Sequence, residues 1–305
     1  TLPVGTTRDR LTPILEEQSG LTAEQDFFVA FSPERVFTGR VFADLRKYPK
    51  LIGGIGEASA TKAKEFYEAV LDFDLRDDLE RPNGVWDLGA AEAAELAKLA
   101  EATYRDVNIG LANQFAKYAN KINIDVYKVI EACNSQPFSH IHQPGIAVGG
   151  HCIPVYPRLY LWNDPEATIV RAAREANALM PAYAIERLEQ EIGSLAGKII
   201  LILGASYRPG VKETAFSGVL PLVDLLLKKG AIPSVHDPLY SSIELDELGL
   251  PPWTDGSPVD VAIIQTMHSV KAGWVASRTD AARPCQNVRI TEKPERLNFY
   301  KFPSE

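Results

Sequence analysis

Lys198-Ile199-Ile200-Leu201-Ile202-Leu203-Gly204-Ala205-Ser206 is the stretch whose reading decides the fold. Its apolar run has no polar alternation, so it reads as a strand buried on both faces, the habit of a parallel sheet. Gly204-Ala205-Ser206 is its turn. Downstream, Gly218 to Lys229 is amphipathic at helical spacing and is closed by Gly230. Ile232 to Asp237 reads as the next strand and Asp260 to Gln265 as another. Strands and helices in this alternation predict a doubly wound α/β unit.

Upstream, a second α/β pattern is expected. Thr6 or Thr7 is a candidate N-cap for a helix through Leu11, Ile14 and Leu15. Phe27 to Phe31 and Leu51 to Gly54 read as short strands, and Thr61 to Val70 as a helix. Between the two units, residues 90–132 contain no proline and one glycine, Gly110, with Leu96, Leu99, Ala100, Thr103, Val107 and Leu111 at helical spacing. This predicts a long helix over 90–118 and another over 125–133. A long helix that is apolar on more than one face commonly forms a spine or a dimer contact. Residues 135–157 read as a loop. Helix is expected again over 164–192, with Pro181 as a kink or restart. The segments predicted are 1–84, 85–192 and 193–305, and the tail from Val275 has no clear periodicity.

Composition narrows the function. A formal net charge of -8 over 305 residues argues against a general nucleic-acid binder. Cys133, Cys152 and Cys285 are widely spaced, without a metal-ligand or CxxC pattern, as expected of free thiols in a reducing cytoplasm. No apolar run approaches the roughly 20 residues needed to cross a bilayer, and no signal peptide opens the chain. A cytoplasmic chain is expected.

The candidate chemistry lies at Gly149-Gly150-His151-Cys152-Ile153-Pro154-Val155-Tyr156-Pro157. Two glycines allow close approach of the backbone, and one thiol follows them, as suits a nucleophile on a tight loop. An inert cysteine beside a turn is the alternative. Oxidation through a thiohemiacetal and a thioester would need a cation for the oxyanion and a base for water. Lys98, beside the apolar stripe of the long helix, is a candidate for the first, or a snorkelling surface lysine. Glu34, after a strand and a proline, is a candidate for the second, or a loop carboxylate. Gly54, Gly56 and Gly204 invite a dinucleotide reading, but neither place matches G-x-G-x-x-G.

Thr1 to Thr7, Ser32 to Arg35, Lys98 to Asn113 and Gly149 to Pro154 resemble the successive signatures of the UDP-glucose/GDP-mannose dehydrogenases. The similarity runs from Thr1 to about His268. It implies a remnant of an N-terminal Rossmann-like domain, a central long-helix dimerisation region and a C-terminal Rossmann-like nucleotide-binding domain. The implied reaction is oxidation of the C6 alcohol of a UDP-sugar to a carboxylate with two NAD+, by a homodimer. By the same resemblance Cys152 is the nucleophile, Lys98 the oxyanion stabiliser and Glu34 the carboxylate that helps thioester hydrolysis. Thr1 would stand beside the nicotinamide and the reacting carbon, and His151 would contact cofactor or pack. Asn113 and the loop Gly145 to Gly150, including Gly149, would line the sugar site, with Arg208 and Lys212 facing the pyrophosphate.

Several positions depart from the family pattern. Ala102 and Tyr156 stand where the family has an asparagine and an aspartate that handle the hydrolytic water, which leaves Glu34 to do so, because a phenol with a pKa near 10 is a poor base. Phe138 replaces an arginine of the N-acetylhexosamine members, which favours a glucose-type sugar. Glu213-Thr214-Ala215 and Met267 also differ from the pattern. The family's NAD-binding βαβ unit precedes the segment that begins at Thr1, so the alternative expectation is a truncated, redox-inactive nucleotide-sugar binding or dimerisation module. A third option is a thiol-dependent transferase that needs no cofactor.

Overall fold

The computed structural model describes residues 1–37 and 39–268 and the backbone of Val288–Arg289. Cys285 and most of the aperiodic tail lie outside the described residues. Contacts group the chain into two compact units, Thr1–Tyr104 with Val155–Ala167, and Arg105–Pro154 with Thr168–Glu305. These do not coincide with the three segments expected, because the long helix and the residues after the thiol loop are shared out between units.

The first unit opens with a π-helical turn, Thr7–Leu11, that runs into α1, Thr12–Ser19. Pro13 in the first turn of α1 cannot donate a backbone hydrogen bond, and the wider turn bonds Thr12 N–H back to Thr7 C=O. Neither Thr6 nor Thr7 caps this helix. The Thr6 hydroxyl donates to Pro3 C=O and the Thr7 hydroxyl to Glu95 instead. Next come β1 (Ala30–Phe31), α2 (Val41–Lys47), β2 (Lys50–Gly54), α3 (Glu57–Val70) and β3 (Val85–Asp87). β2 is buried along its whole length, antiparallel to β1 and parallel to β3. The expected strand over 27–31 shrinks to two residues because Phe27 C=O turns back to accept from Glu24 N–H.

Helix α4, Ala91–Lys121, contributes its first half to this unit and its second half to the other. The expected loop over 135–157 ends early. Tyr156 starts α6 (Tyr156–Asn163), with Pro157 in the first turn where a missing N–H does no harm. Asn163 closes the first unit through two hydrogen bonds with the backbone of Val4.

In the second unit, α5 (Val126–Asn134) is capped by the Asp125 side chain on Tyr127 N–H. The helix expected over 164–192 with a kink or restart at Pro181 is found as α7 (Thr168–Ala178) and α8 (Met180–Ile192), and Pro181 marks the restart. β4 (Ile199–Leu203), α9 (Val219–Lys228), β5 (Ile232–His236), α10 (Ser242–Glu247) and β6 (Val261–Ile264) build the doubly wound part. The order is β5-β4-β6, all parallel, with β7 (Val288–Arg289) antiparallel outside β6. Ile200, Ile202, Leu222, Leu226, Val235 and Ile263 are wholly buried around β4, each contributing about 1.5–3 kcal/mol of apolar burial. The chain passes from β4 to β5 on one side and then from β5 back past β4 to β6 on the other, so the switch point falls at the carboxyl ends of β4 and β6. No helix among the described residues is long and apolar enough to cross a membrane.

Candidate active site

Cys152 is exposed on its loop in the second unit. The two glycines before it are pressed against the protein's own ring rather than left open to a ligand. A Cβ on Gly149 would overlap Tyr207, and one on Gly150, which has φ +86, would lie 2.9 Å from the Tyr207 ring. Gly150 N–H donates to Ala215 C=O at 2.7 Å. His151 Nε2 lies 3.2 Å from Glu213 Oε2. The Ala215 N–H, and then His151, hold the Glu213 carboxyl below its ordinary range. The thiol loop is therefore seated on the 207–216 segment that follows β4. A Cβ on Gly145 would meet nothing closer than Ala147 C=O at 3.8 Å, and the Gly145 N–H donates to the Asn113 side chain. Asn113 itself is buried and bonded to Asn177, so it reaches the loop rather than an open pocket.

Lys98 and Glu34 are brought together in the first unit. The Lys98 ammonium donates to Glu34 C=O and stands 5.7 Å from the Tyr156 ring centroid. The Glu34 carboxylate accepts from Arg35 N–H at 2.8 Å and from Lys50 Nζ at 3.3 Å. Lys50 is buried on β2 with its ammonium 4.9 Å from the Tyr67 ring centroid. Its role was not legible locally, since a lysine opening a strand has no signal for a partner 16 residues away. Thr1 is exposed. The loop behind it is fixed by Glu95, which is fully buried and accepts from Gly5 N–H, Thr7 N–H and the Thr7 hydroxyl.

At the carboxyl edge of the second sheet, Arg208 Nε donates to the Tyr207 hydroxyl at 3.1 Å, and Lys212 is paired with Glu244. Glu244 also closes the capping box of α10 with Ser241, and the Lys212 bond and the Ser241 amide hold its carboxyl down at about 2. Asp237, wholly buried, accepts from Ala205 N–H, Ser206 N–H, the Ser206 hydroxyl, Leu239 N–H and His268 Nε2. Burial alone would raise this carboxyl, but these donors prevail and lower it.

The glycine junction Gly54-Ile55-Gly56 opens a helix after a strand, since β2 ends at Gly54 and α3 starts at Glu57, with Ser59 where the motif would have its third glycine. The amides that would meet a phosphate are already taken. Glu24 accepts from Ala58 N–H at 3.2 Å, Ser59 N–H at 3.0 Å and the Ser59 hydroxyl, and it does so from a left-handed backbone at φ +69.

Two mixed sheets with parallel centres, a long helix and a thiol on a glycine loop define an α/β protein of Rossmann-like, dehydrogenase-type build. The chain belongs to the UDP-glucose/GDP-mannose dehydrogenase family. The family's NAD-binding domain model matches residues 1–71 and its central domain model matches residues 92–179, together more than half of the chain. It is 38% identical over 243 residues to the UDP-N-acetyl-D-mannosamine dehydrogenase of Pyrococcus horikoshii, covering 78% of this chain and 55% of that protein. It is 36% identical over 252 residues to the enzyme of that name from Methanocaldococcus jannaschii, covering 81% and 55%. The chain thus spans about half the length of these relatives. Among solved structures it resembles the UDP-D-ManNAc dehydrogenase of Pyrococcus horikoshii, with TM-score 0.74 and 35% identity over 89% of this chain and 63% of that one. It also resembles a UDP-glucose dehydrogenase from Pyrobaculum islandicum, with TM-score 0.80 and 25% identity over 98% and 68%.

Proposed function

We propose that the chain carries the thiol centre of a nucleotide-sugar 6-dehydrogenase, which oxidises the C6 alcohol of a UDP-sugar to a uronate. The observation that carries this reading is the placement of Cys152, exposed on a loop that its own unit holds down. In it, the Cys152 thiolate adds to C6 at the aldehyde level, and the Lys98 ammonium holds the resulting oxyanion. At the thioester level, the Glu34 carboxylate, steadied by Lys50, takes a proton from the attacking water, and the thiolate leaves. Bound NAD would supply the acceptor for two hydrides, one lost before the thiolate adds and one between the thiohemiacetal and the thioester. The Gly54–Gly56 junction does not fit its pyrophosphate, because Glu24 occupies the helix amides. Thr1 and His151 remain the residues assigned to the nicotinamide side, and Arg208, Lys212, Gly145, Gly149 and Gly150 to the nucleotide-sugar side.

The relatives' names favour UDP-N-acetylmannosamine, whereas Phe138, 91% exposed in place of the family's arginine, favours a glucose-type sugar. Turnover of the two UDP-sugars compared side by side decides between them. Cys152→Ser is expected to abolish NADH formation, and full turnover in that variant would sink the reading. The Glu24 plug favours a second reading, a nucleotide-sugar binding module without redox activity. Calorimetry of this chain then shows UDP-sugar binding and no NAD binding, and measurable NAD affinity counts against it. A cytoplasmic location and a homodimer belong to the same proposal.

A further inference from the structure

The loop from Gly145 to Pro154 is gripped at both ends by one continuous set of hydrogen bonds, buried at its centre and part-buried at its two ends. At its front end, Gly145 N–H donates to Asn113 Oδ1 at 2.9 Å, and Asn113 Nδ2 donates to Asn177 Oδ1 at 2.8 Å. Asn177 Nδ2 then donates to Asp106 Oδ1 at 2.8 Å and to Asp106 C=O at 3.0 Å. At its far end, Arg174 Nε donates to Asp106 Oδ2 at 2.6 Å, and Arg174 Nη1 reaches Pro154 C=O at 3.4 Å. Asp106, Asn113 and Asn177 are all buried.

The direction of every bond is forced. An amide N–H can only donate, so Asn113 must show its oxygen to Gly145 and its nitrogen to Asn177. Asn177 repeats that choice toward Asp106, and a carboxylate can only accept. Reversing either side-chain amide would set like groups face to face in a buried place. Helix geometry makes the assembly possible. Asp106, Gly110 and Asn113 share one face of α4 at i, i+4 and i+7. Gly110 lets α7 come close, since a Cβ there would lie 3.1 Å from Ala173 Cα.

As a stabilising device the arrangement is poor. Burial raises the Asp106 carboxyl despite Arg174 and Asn177, and well-packed apolar residues commonly serve stability as well as a buried ion pair. Apolar residues cannot, however, fix one backbone donor and one backbone acceptor on either side of a thiol.

We propose that Asp106, Arg174, Asn177 and Asn113 are positioning residues that set where Cys152 stands, by pinning Gly145 and Pro154 to one buried carboxylate. None of the four touches the reacting carbon. The inference rests on Cys152 being the nucleophile, and Asn113 thereby acts on the loop rather than on the sugar.

The test compares the whole chain with the double variant Asp106→Leu/Arg174→Met and with Asn113→Ala, Arg174→Lys and Cys152→Ser. The readouts are thermal unfolding, amide exchange over 145–154, and kcat and KM for the UDP-sugar. The double variant is expected to keep its Tm, to exchange the Gly145 amide about tenfold faster and to lose about 100-fold in kcat with KM little changed. Arg174→Lys keeps a cation for Asp106 but loses the bridge to Pro154, so it should keep the wild-type Tm and still lose kcat. A folded double variant with wild-type exchange and kcat overturns the proposal. If that variant does not fold, unchanged exchange at Gly145 in Asn113→Ala overturns it instead. Full activity of Cys152→Ser would defeat the nucleophile reading, while the exchange data still decide whether the four residues pin the loop.

Discussion

Lys98 lies one helical turn from two carboxylates, Glu95 and Glu101, and among the described residues it pairs with neither. Glu95 is filled by the backbone of Gly5 and Thr7, and Glu101 is held by the guanidinium of Arg35 at 3.3 Å. What meets the ammonium is a carbonyl and an aromatic face, neither of which cancels its charge. That uncancelled charge suits an oxyanion, so Lys98→Met should lower kcat by about 10²–10³-fold with little change in Tm, which steady-state kinetics and thermal unfolding measure together. Asp237 shows the opposite economy of charge, with every oxygen bonded inside the fold. Its folded pKa lies below the ordinary value, so the stability it contributes is present above that value and is lost as pH falls through the folded pKa. Asp237→Asn should therefore cost about 1–3 kcal/mol at neutral pH. The gap from wild type should close below about pH 4, as chemical denaturation at several pH values would show.

At the scale of elements, α4 was expected to be apolar on more than one face, and it buries polar groups as well. Its buried stripe carries Glu95, Asp106 and Asn113, while Leu96, Leu111, Phe115 and Tyr118 are exposed. Leu111, Phe115, Tyr118 and Ile122 recur at i, i+4, i+7 and i+11, the spacing of a helix seam, and this supports the proposed homodimer. Leu111→Glu combined with Phe115→Glu should yield a folded monomer by sedimentation, and an unchanged dimer would place the contact elsewhere. The existence of β4, α4 and α9 was legible because each is long or uniformly apolar enough for its period to speak. β3 was not, since three residues carry no period, nor was α6, whose prolines and aromatic residues read as loop. Cys152, Lys98 and Glu34 could be named as candidates from their motifs. Glu24, Lys50, Glu95 and Arg174 could not, because each earns its role from groups 16 to 90 residues away in sequence.

In the molecule as a whole, each compact unit holds a ready-made part of the proposed chemistry. The first presents Lys98 with the Glu34–Lys50 pair, and the second presents the thiol loop. The seating of that loop on Tyr207 and Ala215 has a consequence for recombination. The cysteine loop and the 207–216 segment are one inheritance, although some 55 residues and three helices separate them in the chain. A chimera of two relatives joined near Gly193 would set a foreign segment under Gly149 and Gly150, where not even a methyl group fits at the first. Crossover points that preserve the thiol's address therefore lie before Gly145 or after Gly218, so that both partners travel together.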